Sequence, residues 1–293
     1  MHERYLASAR NELTEHIVYR KLALREKKPA NRALLEKLSA QEKNHYEFWR
    51  TLLPPGTVVK PYLLAVVGTP LIRTFLGVTF TTKFLETHEE DAIRTYEKMQ
   101  STIPASHREG LAAIIDDERT HEQSLIGELK ERRIAYIGFV ALGLADAIVE
   151  ITGVHAGFLG VTGSTLIAGV SGIIVGFAAA ISMGSAAYLQ AKQDTEKSAP
   201  LSAVITGVTY MFSVVLLALP YFLITTMFAA FLTSTLVGVI LLAAFTFYGA
   251  VVFDRTFLHE FGESVGLMLG TAIATYFLGD FIGKAFGLTP KSF

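Results

Sequence analysis

From Ile134 to the end of the chain, 160 residues carry only 13 Asp, Glu, Lys and Arg, whereas residues 1–133 carry 40 of the total of 53. Hydrocarbon offers the backbone no water to bond, so continuous apolar runs built for lipid are expected as helices, which satisfy their backbone groups within the segment. Apolar stretches near 135–160, 165–190, 201–224, 228–252 and 263–287 each reach the roughly 20 residues a helix needs to cross a bilayer. The expected chain is therefore all-α and in two parts: a water-compatible segment, 1–133, and a five-helix transmembrane segment, 134–293.

The connection at 191–200 holds Lys192, Asp194, Glu196 and Lys197, and that at 253–262 holds Asp254, Arg255, His259 and Glu260. The connections near 160–165 and 224–228 carry no charge. With five spans and a cytosolic N-terminus, both charged connections and Arg132-Arg133 fall on the cytosolic side, as the positive-inside rule asks; Lys284 and Lys291 are the exceptions. Met1 to Arg10 is charged and lacks the apolar core of a secretory signal, so residues 1–133 are expected in the cytosol. A net charge of −1 gives nucleic acid no electrostatic foothold. The absence of cysteine excludes disulfides, thiolate metal sites and iron–sulfur clusters.

Residues 1–133 read as four helices: roughly Leu6 to Glu26, Arg32 to Leu53, Thr82 to Met99, and Ser106 to Arg132. Period-3.6 apolar positions run through all four, and Pro29, Pro54-Pro55 and Pro104 punctuate them. The link from Val58 to Phe84 is apolar but broken by Pro61, Pro70 and Arg73. Its apolar runs are too short to span a membrane. It is expected to be a crossover and an extension of the third helix, packed on the membrane surface or on a partner subunit.

The second helix contains Glu42-Lys43-Asn44-His45 and the fourth Glu118-Arg119-Thr120-His121. Residues i and i+3 share a helical face, so each pair can aim a carboxylate and an imidazole at one point. The first helix offers Glu12 with Tyr19 seven residues on, and the third offers Glu89 with Tyr96 seven residues on. The two halves thus repeat, with Glu-to-Glu spacings of 30 and 29 residues, enough for one helix to go up and the next to return. One Glu from each of two helices and Glu-x-x-His from each of the other two is the ligand pattern of dinuclear carboxylate bundles. Oxygen and imidazole donors suit Fe and Mn. Glu86, one turn before Glu89, is a further candidate ligand. Glu15, Glu90, Asp116, Asp117 and Glu122 read as solvated charges, and His16 and His88 as surface or packing residues.

On these residues, and on the stretch Ser39-Ala40-Gln41-Glu42-Lys43-Asn44-His45, residues 1–133 resemble rubrerythrin and the wider ferritin-like superfamily. The resemblance implies a four-helix bundle holding a di-iron centre, with Mn possible, in which Glu86 and Glu89 match a pair of glutamates on the third helix. The cysteine-rich iron centre of classical rubrerythrins is missing.

In the first span Asp146 and Glu150 stand one turn apart inside an apolar run. A carboxylate in hydrocarbon costs at least ~2.5 kcal/mol, so such groups usually face a polar pathway. Pairs of glycines four apart (153/157, 172/176, 266/270, 279/283) allow helices to approach closely. Met183 lies near the cytosolic end of the second span and brings a soft thioether, more often packing than ligand. Glu263 and Asp280 bracket the fifth span as interface residues.

The segment Gly143-Leu144-Ala145-Asp146-Ala147-Ile148-Val149-Glu150, with Ser182-Met183 and Tyr188-Leu189, resembles the vacuolar iron transporter family. That resemblance implies a dimer that moves Fe²⁺ or Mn²⁺ out of the cytosol, in exchange for protons, along Asp146 and Met183; Glu150, one turn from Asp146, is expected on the same route. Ala187 stands where the family often has Glu, and the acidic insert that plant members carry between the second and third spans is absent. The fused arrangement resembles the membrane-bound ferritin group of prokaryotes. The leading expectation is a metal exporter in a prokaryotic cell membrane; the competing one is a membrane-anchored di-iron oxidase or peroxidase.

Overall fold

The computed structural model describes residues 2–86, 89–120, 134–195 and 197–288, with the backbone only at Glu86, Glu89 and Glu90. Among the described residues all regular structure is helical. The chain divides into two compact units, Met1–Glu131 and Arg132–Phe293.

In the first unit α1 (His2–Arg25) and α2 (Pro29–Thr51) pack along each other, and α3 (Leu63–Leu76), α4 (Val78–Glu86), α5 (Glu89–Met99) and α6 (Arg108–Thr120) follow. The second helix begins at Pro29 rather than near Arg32, because proline at a first helical position gives up an N–H that has no partner there anyway. The expected third helix, Thr82 to Met99, is described as α4 and α5. The part of the fourth beyond Thr120 lies outside the described residues.

Two apolar clusters stabilise this unit. Tyr5, Ala9, Trp49, Tyr96 and Leu111 belong to one, drawn from α1, α2, α5 and α6. Val18, Leu22, Leu35, Leu38, Val66 and Val78 belong to the other, drawn from α1 to α4. Each fully buried Leu contributes roughly 1.5–3 kcal/mol of transfer free energy. Between the clusters, Glu12 follows Ala9 and precedes Val18 on α1, while Glu42 and His45 stand between Leu38 and Trp49 on α2. One polar layer is thus sealed on each side by apolar side chains. A reciprocal bond fixes the two helices in register: Ser39 Oγ donates to the His16 carbonyl across 3.0 Å, and His16 Nδ1 lies 2.7 Å from the Ser39 carbonyl. His16 is therefore a packing residue.

The 58–84 link contains a helix of its own. Its 14 residues span only ~21 Å, short of the ~30 Å hydrocarbon core. It lies along α1: the Tyr62 amide donates to Thr14 Oγ1 (2.9 Å), Lys21 Nζ to the Val66 carbonyl (3.2 Å), and Arg73 Nη2 to the Arg25 carbonyl (3.0 Å) and Glu26 Oε2 (2.9 Å). Gly77, at φ 92°, separates α3 from α4 with a backbone turn that a side chain would strain.

The second unit holds five helices long and apolar enough to cross a membrane: α7 (Ile137–Val161, extended to Ile134 by a 3₁₀ turn), α8 (Thr165–Ala191), α9 (Ala199–Leu223), α10 (Met227–Phe253) and α11 (Phe257–Phe286). The fifth begins at Phe257 rather than 263, adding a polar first turn with Glu260. Large apolar side chains such as Phe177, Val208 and Phe281 point outward, as lipid-facing residues do. α7 packs on all four of the others.

Glycines permit this closeness. A Cβ at Gly143 would collide with the Thr206 carbonyl of α9, and one at Gly279 with the Gly157 carbonyl on α7. Gly153 lies against Thr271, and Gly172 and Gly176 meet His155 and Val214. The 266/270 pair makes no such approach among the described residues, for no described atom of another element lies within 4 Å of a Cβ added at either.

Candidate functional site

Glu12 from α1, Glu42 and His45 from α2 and Glu118 from α6 come together in the sealed polar layer. One ligand atom from each lies within 4.8 Å of all the others, and all four residues are buried. The i, i+3 spacing turns Glu42 and His45 inward together: His45 Nδ1 is 3.5 Å from Glu42 Oε2, 3.6 Å from Glu12 Oε2 and 3.0 Å from Glu118 Oε1. Four of the residues singled out in the sequence are thereby assembled. His121 lies outside the described residues, as do the side chains of Glu86 and Glu89.

Three carboxylates packed around one imidazole form an excess of buried negative charge. Burial pushes the Glu42 carboxyl well above the usual carboxylate range, and the nearby carboxylates of Glu118 and Glu12 add to the rise. Burial disfavours a charged His45, but its contacts with Glu118, Glu12 and Glu42 outweigh that and hold the imidazolium far above the usual histidine range. Buried charge is tolerated only when paired or metal-bound. An all-oxygen-plus-imidazole donor set with this imbalance fits a divalent cation of the Fe, Mn or Zn kind.

Two residues that sequence reasoning did not assign complete the surroundings. Asp117, read as a solvated charge, is half-exposed, yet its Oδ2 lies 3.4 Å from His45 Nε2. A carboxylate on the outer nitrogen fixes the ring and leaves Nδ1 facing the cluster, as second-shell carboxylates do in metal sites. Tyr96, expected to share a face with Glu89, donates its O–H to Glu12 Oε1 on α1 at 2.5 Å. Burial and the Glu12 charge push the Tyr96 phenol well above its usual range, so it stays a donor.

In the second unit Asp146 and Glu150 are half-buried on α7. Tyr210 of α9 donates its O–H to Glu150 Oε2. The signal for it was present: Ser202, Thr206, Tyr210 and Ser213 fall at spacings of four, four and three on one buried face of α9. Met183 packs against an apolar cluster to which α7 contributes Ala147 and Ile148, and so does Met211, a second thioether the sequence reading missed. His155, also unassigned, is fully buried on α7 with its ring 4.1 Å from that of Tyr221. At the far end of α11, Asp280 pairs with Lys284 at 2.6 Å.

Comparison with known protein families, with curated proteins and with solved structures finds no match.

Proposed function

We propose that this chain exports divalent metal, Fe²⁺ and also Mn²⁺, from the cytosol of a prokaryotic cell in exchange for protons. In this reading residues 1–133 form a cytosolic, ferritin-like four-helix bundle of the rubrerythrin kind that binds, senses or oxidises iron. Residues 134–293 form a vacuolar-iron-transporter-like domain that works as a homodimer. The observation that carries the proposal is the combination, in one chain, of a buried Glu12–Glu42–His45–Glu118 group with five candidate spans, the first of which bears Asp146 and Glu150.

Glu12, Glu42, His45 and Glu118 would hold the resident di-iron centre, together with Glu86, Glu89 and His121 from the sequence pattern. Bound iron supplies one-electron redox chemistry there. Glu12 is oriented by Tyr96 and His45 by Asp117. His45 and Glu42, both held protonated by their surroundings, would give up protons on binding a cation, which would link binding to proton release. In the membrane Asp146, Glu150 and Met183 line the route, and Tyr210 holds Glu150 in one orientation.

The test is metal flux in proteoliposomes. Asp146→Ala is expected to abolish Fe²⁺ and Mn²⁺ flux while metal binding by the first unit persists; unchanged flux would remove Asp146 from the route. A second reading, a membrane-anchored di-iron oxidase or peroxidase, is favoured by the deep burial of the four ligands, which shields a bound ion from bulk water. It requires oxygen or peroxide consumption by the full chain that Asp146→Ala leaves intact, with no flux in either protein.

A further inference from the structure

α3 is amphipathic the wrong way round for a water-facing helix. Leu64, Val67, Leu71 and Phe75 recur at spacings of three, four and four, so they form one stripe, and they are 90%, 56%, 61% and 78% exposed. The only charge in the helix, Arg73, is turned the other way, onto Glu26 and the end of α1. A surface helix normally buries its apolar stripe and shows its charges to solvent. Among the described residues of the first unit, the exposed large apolar side chains are these four, their chain neighbours Tyr62, Leu63 and Leu76, and Val58 and Leu24. Concentration of this kind marks a docking surface rather than scattered exposure.

We infer that this face of α3 lies in the interface of an anionic bilayer, parallel to the membrane plane. Three observations choose lipid over another occupant. The helix is too short to span, yet its outer face is fully apolar. Cations flank the stripe: Lys21 and Arg25 of α1 line the same depression as Val67 and Leu71, and Lys27 follows in the turn just beyond the end of α1. The single carboxylate of that turn, Glu26, is taken by Arg73 and by the Lys27 and Lys28 amides, leaving the rim positive toward phosphate headgroups. Finally, the chain carries its own five candidate spans, which keep a bilayer at high effective concentration. The inference rests on those spans being in a membrane, and is independent of the cargo and of the metal centre's chemistry.

The chain contains no cysteine, so single nitroxide labels can be placed without other changes. Full-length Leu64→Cys and Phe75→Cys, with Lys37→Cys on exposed α2 as reference, are labelled and reconstituted in nanodiscs of phosphatidylcholine with or without phosphatidylglycerol. Collisions with oxygen and with a water-soluble nickel chelate are compared. The oxygen-to-nickel ratio at positions 64 and 75 is expected to exceed that at 37 several-fold. Phosphatidylglycerol is expected to raise it further, and Arg25→Gln with Lys27→Gln to cancel that increment. Water-like ratios at 64 and 75 would overturn the inference. So would a short intermolecular dipolar distance between labels at 64 with no sensitivity to lipid, because a second copy of the chain would then cover the face.

Discussion

Tyr96 on α5 donates its phenolic hydrogen to Glu12 on α1, across 84 residues of sequence and 2.5 Å of space. The sequence repeat placed Tyr96 on one face with Glu89 and Tyr19 on one face with Glu12, and named no hydrogen-bond partner for either. The bond runs between the two halves of the repeat: a tyrosine of the second half supports a ligand of the first.

Removing that hydrogen bond is the cleanest probe of the metal layer. Tyr96→Phe keeps the ring packed against Trp49 and removes only the donor. A hydrogen bond to a charged acceptor is worth roughly 1.5–3 kcal/mol, so metal affinity is expected to fall on the order of tenfold. Anaerobic calorimetry with Fe²⁺ and with Mn²⁺ measures it. Unchanged affinity for both would remove Tyr96 from any role in positioning Glu12.

Glu42 is held as an acid against its inclination. Because its folded-state pKa is raised above the ordinary 4.5, its contribution to stability is complete below that value and is lost as pH rises through the raised one. Glu42→Gln is therefore expected to stabilise the metal-free protein at neutral pH by about 1–3 kcal/mol and to flatten its pH dependence. The same variant should lose the stabilisation that metal confers. Thermal unfolding across pH, with and without Mn²⁺, reads both effects; a less stable metal-free variant would mean that the ionised carboxylate is well satisfied.

Glu26 behaves in the opposite sense. Burial alone would raise its pKa, but the Lys28 amide and Arg73 outweigh that and lower it below 4.5. Its contribution is then present above 4.5 and is lost as pH falls through the lowered value. Hydrogen exchange of residues 63–76 is expected to accelerate in that acid window, as the strap from α3 to the end of α1 loosens. Arg73→Gln should produce the same acceleration at neutral pH. Protection that is equal in the variant and the parent would show that Tyr62 and Lys21 suffice to hold the helix.

In the second unit the contact between α7 and α11 depends on Gly279. Its missing Cβ is what lets the Gly157 backbone approach, with the Gly157 carbonyl carbon 2.9 Å from where a Cβ would sit. Gly279→Ala must push backbone rather than a flexible side chain, at a cost of about 1–3 kcal/mol. Gly270→Ala, where no described atom of another element lies within 4 Å, is the matched control and should be neutral. Fluorescence-detected gel filtration after heating in detergent distinguishes them.

Much of this architecture is legible in the residues. Five apolar stretches could only be helices, and Glu-x-x-His could only aim two ligands one way if α2 was helical. Asp117 is solvated, as its sequence context suggested, but its place beside His45 was not legible because it depends on how α6 packs against α2. Tyr210 was overlooked, although Ser202, Thr206 and Ser213 marked its face of α9 as the polar, buried one.

By itself the sequence determined the helical character, the five candidate spans and the Glu42–His45 pair on α2, because periodicity and the spacing i, i+3 act through local geometry. Only the tertiary structure decided which helix supplies Glu12 with its hydrogen bond, what sits on the outer nitrogen of His45, and which way α3 turns its apolar stripe. Those are choices between faces of different helices, and they follow from packing the whole unit at once rather than from the order of residues along one segment.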